Sequence, residues 1–380
     1  MKKFVSILLS LAIILAFPLN CLAAESKNKD ENIKAESVIL MNMDTGKVLL
    51  KQNEYEHLSP ASVTKIMTIL LVLEALDSGK ITLNDKVSAS VNAVAMGGSQ
   101  IWLEIGEMMT VDELLKATVI ASANDACTAL GEYIAGSSAG FVKMMNERAA
   151  ELGLKNTNFE NCTGLDDTTK NHYSCAYDLA VISSQVMKHK LILNYTTVWL
   201  DSLRGGKTEL NNTNKLVNTY NGITGLKTGT TSNAGFCVAA TATRDNMNLV
   251  AVVLNAKTSE DRFDTAKYLL DYGFANYKLF KPEIDSDKIT SVKVINGIEK
   301  SIVPVYNEGT AIVIENTNAE YTYEYKLNES AQAPISKGDV LGVINVSNGK
   351  DVVATIDLVS PRDVDTINMK YVFKSILLNI

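Results

Sequence analysis

Apolar positions change texture three times along this chain. From Phe4 to Phe17 they form a nearly continuous run. From about residue 36 to 280 they alternate between helix-period and strand-period stretches. From about Asp285 to Ser360 little helical signal remains. Short alternating runs, Ala319 to Tyr325 and Val340 to Val346 among them, sit there between Asn and Gly turns. Ser37 to Met41, the turn Asp44, Thr45, Gly46 and the run Lys47 to Leu50 predict a hairpin. A long apolar helix pattern follows, running through Leu76 to Gly79, with Ser59 placed to cap it and Pro60 at its first position. Thr110 and Glu113 form a capping box that opens a helix reaching Ile120. Another helix begins after Asn124 and ends near Gly136, and residues 155–175 read as loop. Leu226 to Ala242 and Leu249 to Asn255 read as two paired strands with Arg244, Asp245 and Asn246 as turn residues between them; helix returns from Asp261 to Tyr272.

The first run fixes an expected compartment. Lys2 and Lys3, the apolar stretch, Pro18 and the small residues Ala23 and Ala24 together read as a secretory signal peptide. The run is shorter than the roughly 20 residues a membrane span needs, although an uncleaved anchor is the competing reading. Cys21 lacks the preceding pattern of a lipoprotein signal. Losing the two lysines of this segment moves the formal charge from −7 to −9, which argues against a nucleic-acid partner. The organisation expected is therefore a signal peptide (1–24), a polar flexible leader (25–35), a main domain (36–283), a small all-β domain (284–360) and a tail (361–380). Cys127, Cys162, Cys175 and Cys237 are too few for a disulfide framework in so long a chain, so buried thiols are the default.

In the tail, Met369, Val372, Phe373, Ile376, Leu377 and Ile380 fall on one helix face, with Lys370 and Lys374 beside it. Such an amphipathic helix is too short to span a bilayer and suits the membrane interface; packing on the protein itself is the alternative.

Three short motifs carry the chemistry. The first is Ser62, Val63, Thr64, Lys65; the second is Ser122, Ala123, Asn124; the third is Lys227, Thr228, Gly229. Each is weak alone. Ser62 would lie in the first turn of its helix, where free N–H groups and the helix dipole favour an oxyanion. Lys65 is one turn on, on the same face. A hydroxyl needs a base to become a nucleophile. A lysine can be that base if burial and a neighbouring cation lower its pKa, and Lys227 would be such a cation. Ser122 and Asn124 sit at a break between helices. There Ser122 could relay a proton to a leaving amine, and Asn124 could hydrogen-bond Lys65 and a substrate amide. Helix capping is their ordinary alternative role. Lys227 to Gly229 lies on a probable strand along which an extended peptide could pair. Gly229 would let another backbone approach closely. Thr228 and Thr230 offer hydroxyls there, and Lys227 offers charge for a terminal carboxylate.

The chain resembles the serine-type D-alanyl-D-alanine carboxypeptidases, the low-molecular-mass penicillin-binding proteins. The resemblance rests on Ser59 to Thr68, Ala121 to Ala126, Asn161 to Asp166, His172 to Asp178, Thr224 to Thr230 and Arg262 to Asp264. It is strong over roughly residues 36–280. It implies an α/β (α+β) transpeptidase/β-lactamase-like domain, an antiparallel sheet flanked by helices, followed by an all-β domain and an amphipathic C-terminal helix. It implies Ser62 as nucleophile, Lys65 as its base, and the N–H groups of Ser62 and Thr230 as oxyanion hole. Ser122 and Asn124 complete the catalytic set. Lys227, Thr228, Gly229, Thr230 and Arg262 would bind substrate, Arg262 helping to hold its terminal carboxylate. The implied partners are peptidoglycan stem peptides, β-lactams and, through the tail, the outer face of the cytoplasmic membrane. No metal or organic cofactor is implied. Some relatives carry His where this chain has Thr230, and Pro is frequent at the position of Cys162.

Other readings differ in specific residues. Gly136 to Gly140 fits the nucleophile elbow of esterases, but a helix pattern precedes it where a strand is required. A metallopeptidase is disfavoured by only three histidines, His57, His172 and His189, with no H-E-x-x-H. A serine β-lactamase shares the three motifs and needs a positioned carboxylate, for which Glu160 is the candidate. A D-alanyl endopeptidase attacks a similar bond. A catalytically idle β-lactam-binding module is the non-enzymatic alternative.

Overall fold

The structure is a computed structural model describing residues 30–167, 169–307, 311–349, 351–369 and 371–372. The expected signal peptide lies outside the described residues, as do Lys370, Phe373, Lys374, Ile376, Leu377 and Ile380 of the expected amphipathic face. The described residues from 34 onward form one compact unit.

Strands β1 (Ala35–Asn42) and β2 (Val48–Gln52) form the expected hairpin, with Gly46 at φ +69° in its turn. Two short pairs follow along the chain, β3 (Lys86–Ser88) with β4 (Met108–Thr110) and β5 (Leu200–Leu203) with β6 (Thr208–Asn211). β7 (Ile223–Thr231), β8 (Gly235–Arg244) and β9 (Met247–Ala256) complete an antiparallel sheet of order β2-β1-β9-β8-β7. The segment expected as one strand, Leu226 to Ala242, is two strands folded back at Thr231–Gly235. The polar residues Thr230 to Asn233, with Gly235 after them, mark that turn in the sequence. Helices cover both faces of the sheet, so its inner strands are apolar at nearly every position. In β1, Ile39 and Met41 join the main core with Val250, Val252 and Leu254; on the other face Leu40 and Leu249 meet the helix Ser259–Asn276 at Gly273.

The helices that matter for the site are α1 (Lys65–Asp77), α2 (Val111–Ile120), α3 (Asn124–Ala135), α4 (Ser138–Glu151), α5 (Ala176–Val186) and α6 (Ser259–Asn276). Thr110 and Glu113 form the expected capping box on α2, and α3 ends in a left-handed Gly136. Ser137 then caps α4, so the G-x-S-x-G segment is a link between helices. Ser59 does not cap α1. The chain enters through a 3-10 turn, Ala61–Thr64, and the buried Ser59 hydroxyl has no partner among the described residues. Tertiary packing overrides the local preference here. A Cβ on Gly164 would lie 1.8 Å from the Ala61 carbonyl oxygen, and one on Gly229 would lie 2.8 Å from Ser62 N. Two backbones therefore clamp this turn from different parts of the chain. α1 itself is buried nearly all round, a central helix and not an amphipathic surface one.

β10 (Tyr277–Phe280) leaves α6 and pairs with β13 (Ile312–Glu315). β11 (Val292–Ile295), β12 (Ser301–Ile302) and β15 (Ser330–Gln332) form one small sheet, and β14 (Thr322–Leu327), β16 (Val340–Asn348) and β17 (Asp351–Val359) another. Two small apolar clusters stabilise this all-β region. Lys47, on the β1–β2 turn, reaches it by donating to the Val313 carbonyl at 2.7 Å. No helix among the described residues is long and apolar enough to cross a membrane.

Candidate active site

The site gathers on the head of α1. Lys65 is fully buried, its Nζ 2.8 Å from Ser62 Oγ and 2.9 Å from the Thr163 carbonyl. Burial lowers its pKa from 10.5 to about 8, because the charged amine has lost its water. The Thr163 carbonyl comes from the loop between α4 and α5. That loop is tied down by Thr68, whose hydroxyl donates to the Cys162 carbonyl, and by Asn161, whose side chain accepts from Thr163 N and Gly164 N. Being a backbone atom, this partner of Lys65 carries no side-chain signal in the sequence.

β7 is the edge strand beside this turn. Gly229 has the role its residue type suggested, although the backbone that approaches it is the Pro60–Val63 turn. Lys227 is also buried and donates to the Thr228 carbonyl at 3.0 Å. Its pKa falls well below the usual value, first through burial and then through repulsion from Lys65. The two lysines of the first and third motifs therefore lie within electrostatic reach of each other. Thr228 donates to the Thr213 hydroxyl at 2.7 Å. Arg262, from α6, is buried and makes no ion pair among the described residues. Its Nη1 donates to the Gly229 carbonyl (3.0 Å), Thr230 Oγ (3.0 Å) and the Cys237 carbonyl (3.2 Å), while Phe263 packs on its face. Burial lowers its pKa to about 10. It braces the end of β7 from behind.

The second motif forms the link between α2 and α3. Ser122 is buried in a left-handed conformation, φ +62°. Neither it nor Asn124 caps α3, whose N-cap is Ala123 without a side-chain bond. Asn124 does not bond Lys65. Its Nδ2 donates to the Gly97 carbonyl at 2.7 Å, and its buried Oδ1 has no partner among the described residues. That oxygen is a buried acceptor left without a donor. Asp125, fully buried, accepts from Ile101 N and Leu103 N. Sequence reading missed it because one carboxylate inside a helix start looks like ordinary dipole compensation.

The remaining candidates sort plainly. Glu160 is exposed; one carboxylate oxygen accepts from Lys170 N and Asn171 N, and these bonds lower its pKa. It serves the loop, not Ser62. His172 is buried with its pKa lowered to about 4. Its Nδ1 accepts from Glu160 N, so Nε2 carries the proton and donates to Thr64 Oγ at 2.8 Å. His57 bonds Asn156 and His189 bonds Asp77, so the three histidines form no cluster. The four cysteines among the described residues, Cys127, Cys162, Cys175 and Cys237, are free and buried.

The profile of the D-alanyl-D-alanine carboxypeptidase family matches residues 23–258, and that of the penicillin-binding protein 5 C-terminal domain matches residues 277–366. D-alanyl-D-alanine carboxypeptidase DacF of Bacillus subtilis is 41% identical over 371 residues, covering 96% of this chain and 95% of the relative. Penicillin-binding protein 5 of Haemophilus influenzae superposes with a TM-score of 0.78 at 32% identity, covering 88% of this chain and 98% of that one. Penicillin-binding protein D2 of Listeria monocytogenes, solved in an ampicillin-bound form, superposes with a TM-score of 0.59 at 32% identity, covering 64% and 98%.

Proposed function

The chain belongs to the D-alanyl-D-alanine carboxypeptidase family, and from that membership we propose how its residues divide the reaction on peptidoglycan stem peptides. The observation that carries the reading is the 2.8 Å contact between Ser62 Oγ and a fully buried Lys65. A neutral Lys65 donates one hydrogen to the Thr163 carbonyl and turns its lone pair to the Ser62 hydroxyl. With a pKa near 8, about a tenth of the enzyme holds this form at pH 7. Ser62 Oγ attacks the carbonyl of the penultimate D-alanine, and its proton passes to Lys65. The N–H groups of Ser62 and Thr230 stabilise the oxyanion. Ser122 relays a proton to the departing amine, D-alanine leaves, and water hydrolyses the ester on Ser62.

Substrate binding falls to the edge of β7. The stem peptide pairs along Lys227–Thr230 as an added strand, and Asn124 Oδ1 accepts an N–H from it. Lys227 and Thr228 receive the terminal carboxylate; Arg262 acts through Gly229 and Thr230, whose positions it braces. An arriving carboxylate favours the charged form of Lys227, which burial and Lys65 disfavour.

The β-lactamase reading loses its candidate carboxylate in the exposed Glu160. β-Lactams are expected to acylate Ser62. The same reading has the first 24 residues direct export, the segment 36–283 carry the chemistry, the segment 284–360 stand beside it, and the tail lie on the outer face of the cytoplasmic membrane. Met369 and Val372, the described members of the tail's apolar face, are exposed. The test is D-alanine release from a D-Ala-D-Ala peptide: wild type releases it and Ser62→Ala does not. Full release by Ser62→Ala would overturn the mechanism. A chain ending at Pro361 should no longer sediment with vesicles.

A further inference from the structure

Backbone strain marks this site and extends beyond its motifs. Nine non-glycine residues among the described ones have positive φ, and five are Asn or Asp, which tolerate it. The other four are Ala61, Trp102, Ser122 and Arg204. Ala61 precedes Ser62, and Ser122 opens the second motif. Trp102 and Arg204 belong to no motif, yet they are joined. Arg204 donates to the Ile101 carbonyl at 2.8 Å and to the Trp102 carbonyl at 3.4 Å, and Glu107 holds its guanidinium at 2.7 Å and 2.9 Å.

The segment around Trp102 is fastened to the second motif. Asn124 N donates to the Ser99 carbonyl at 2.7 Å and Asn124 Nδ2 to the Gly97 carbonyl. Ile101 N and Leu103 N, the amides on either side of Trp102, both donate to buried Asp125 at 3.1 Å. Ile101 and Leu103 are buried, while Trp102 between them is 75% exposed at φ +57°. The fold thus holds a bulky aromatic in an unfavourable conformation, with most of its surface in water. Neither feature stabilises the isolated chain. The wall that carries it adjoins Asn124, whose buried Oδ1 has no donor among the described residues.

We infer that Trp102 is a specificity residue that receives the side chain of the residue preceding the D-alanyl pair. The chemistry it fits is a cationic alkyl side chain. The indole face would take its alkyl stem and ammonium, and exposed Glu104, two positions on, adds negative charge. This rests on the proposed function and deepens it.

The test compares Nα-acetyl-L-Lys-D-Ala-D-Ala, Nα-acetyl-L-Ala-D-Ala-D-Ala and 6-aminopenicillanic acid, which has no acyl side chain. Trp102→Ala should lower kcat/KM about tenfold for the lysyl peptide, mainly through KM. The alanyl peptide and acylation by 6-aminopenicillanic acid should change less than about twofold. Trp102→Phe should keep most of the preference. Trp102→Asn, better suited to left-handed backbone, should lose the preference while raising Tm by roughly 2–4 °C. Equal losses on both peptides, or no loss on the lysyl peptide, would overturn the inference. A wild type that releases D-alanine from neither peptide would overturn the proposed function itself, a separate result.

Discussion

Lys65 Nζ sits between Ser62 Oγ and the Thr163 carbonyl, 2.8 Å and 2.9 Å away, with none of the side chain reaching solvent. The geometry leaves the lysine one acceptor to donate to and one hydroxyl to deprotonate. Lys65→Met should keep the fold and lower the rate of Ser62 acylation by about 10²–10⁴-fold, the usual worth of a general base. Stopped-flow acylation by a β-lactam measures it.

The pH dependence follows from the same contact. The base must be neutral, so acylation should rise about tenfold per pH unit below 8 and level off above it. Stability should follow in the same direction. The folded-state pKa of Lys65 is about 8, against an ordinary lysine value of 10.5. Below pH 8 both states are charged and the cost of burial is complete. Between 8 and 10.5 the unfolded chain binds more protons, so stability rises with pH. Lys65→Met should therefore stabilise the protein most below pH 8, and its advantage should narrow by up to about 3 kcal/mol by pH 10.5. Denaturant melts of both proteins across this range provide the check.

Burial, and after it the charge of Lys65, lowers the pKa of Lys227. A carboxylate bound beside it should favour its charged form. Lys227→Met should weaken carboxylate-bearing substrates by about ten- to a hundredfold, the worth of one charged hydrogen bond. An unchanged KM for the D-Ala-D-Ala peptide would show that Lys227 does not receive the carboxylate.

Gly164 holds the Thr163 loop against the nucleophile turn at φ +83°, and an added Cβ would lie 1.8 Å from the Ala61 carbonyl oxygen. Backbone cannot yield as a flexible side chain would. Gly164→Ala should cost about 3 kcal/mol or more and slow acylation, whereas Gly153→Ala, open around its Cβ, should cost less and leave acylation unchanged. Urea melts and acylation rates separate the two effects.

What could be read in the sequence was what neighbouring residues decide. The β1–β2 hairpin, the Thr110–Glu113 box and the Gly136 stop are local devices, and each formed where its residues placed it. Ser59 failed as a cap because Gly164 and Gly229, from distant segments, shape the turn that follows it. The β7–β8 turn lies in the polar stretch Thr230 to Asn233, which reading Leu226 to Ala242 as one strand passed over. Within the site, the first motif named Lys65, which meets Ser62, and the third named Gly229, which packs on the same turn. The Thr163 carbonyl and the Asp125 carboxylate were invisible. The first is backbone, and the second acts on amides more than twenty residues away.

The most direct test is a time course of intact mass with benzylpenicillin on residues 25–361, with Ser62→Ala alongside. The account predicts a lasting adduct of one penicillin on the wild type, mapped to Ser62 and absent from the variant. No adduct and no penicillin turnover, or an equal adduct on Ser62→Ala, would contradict it.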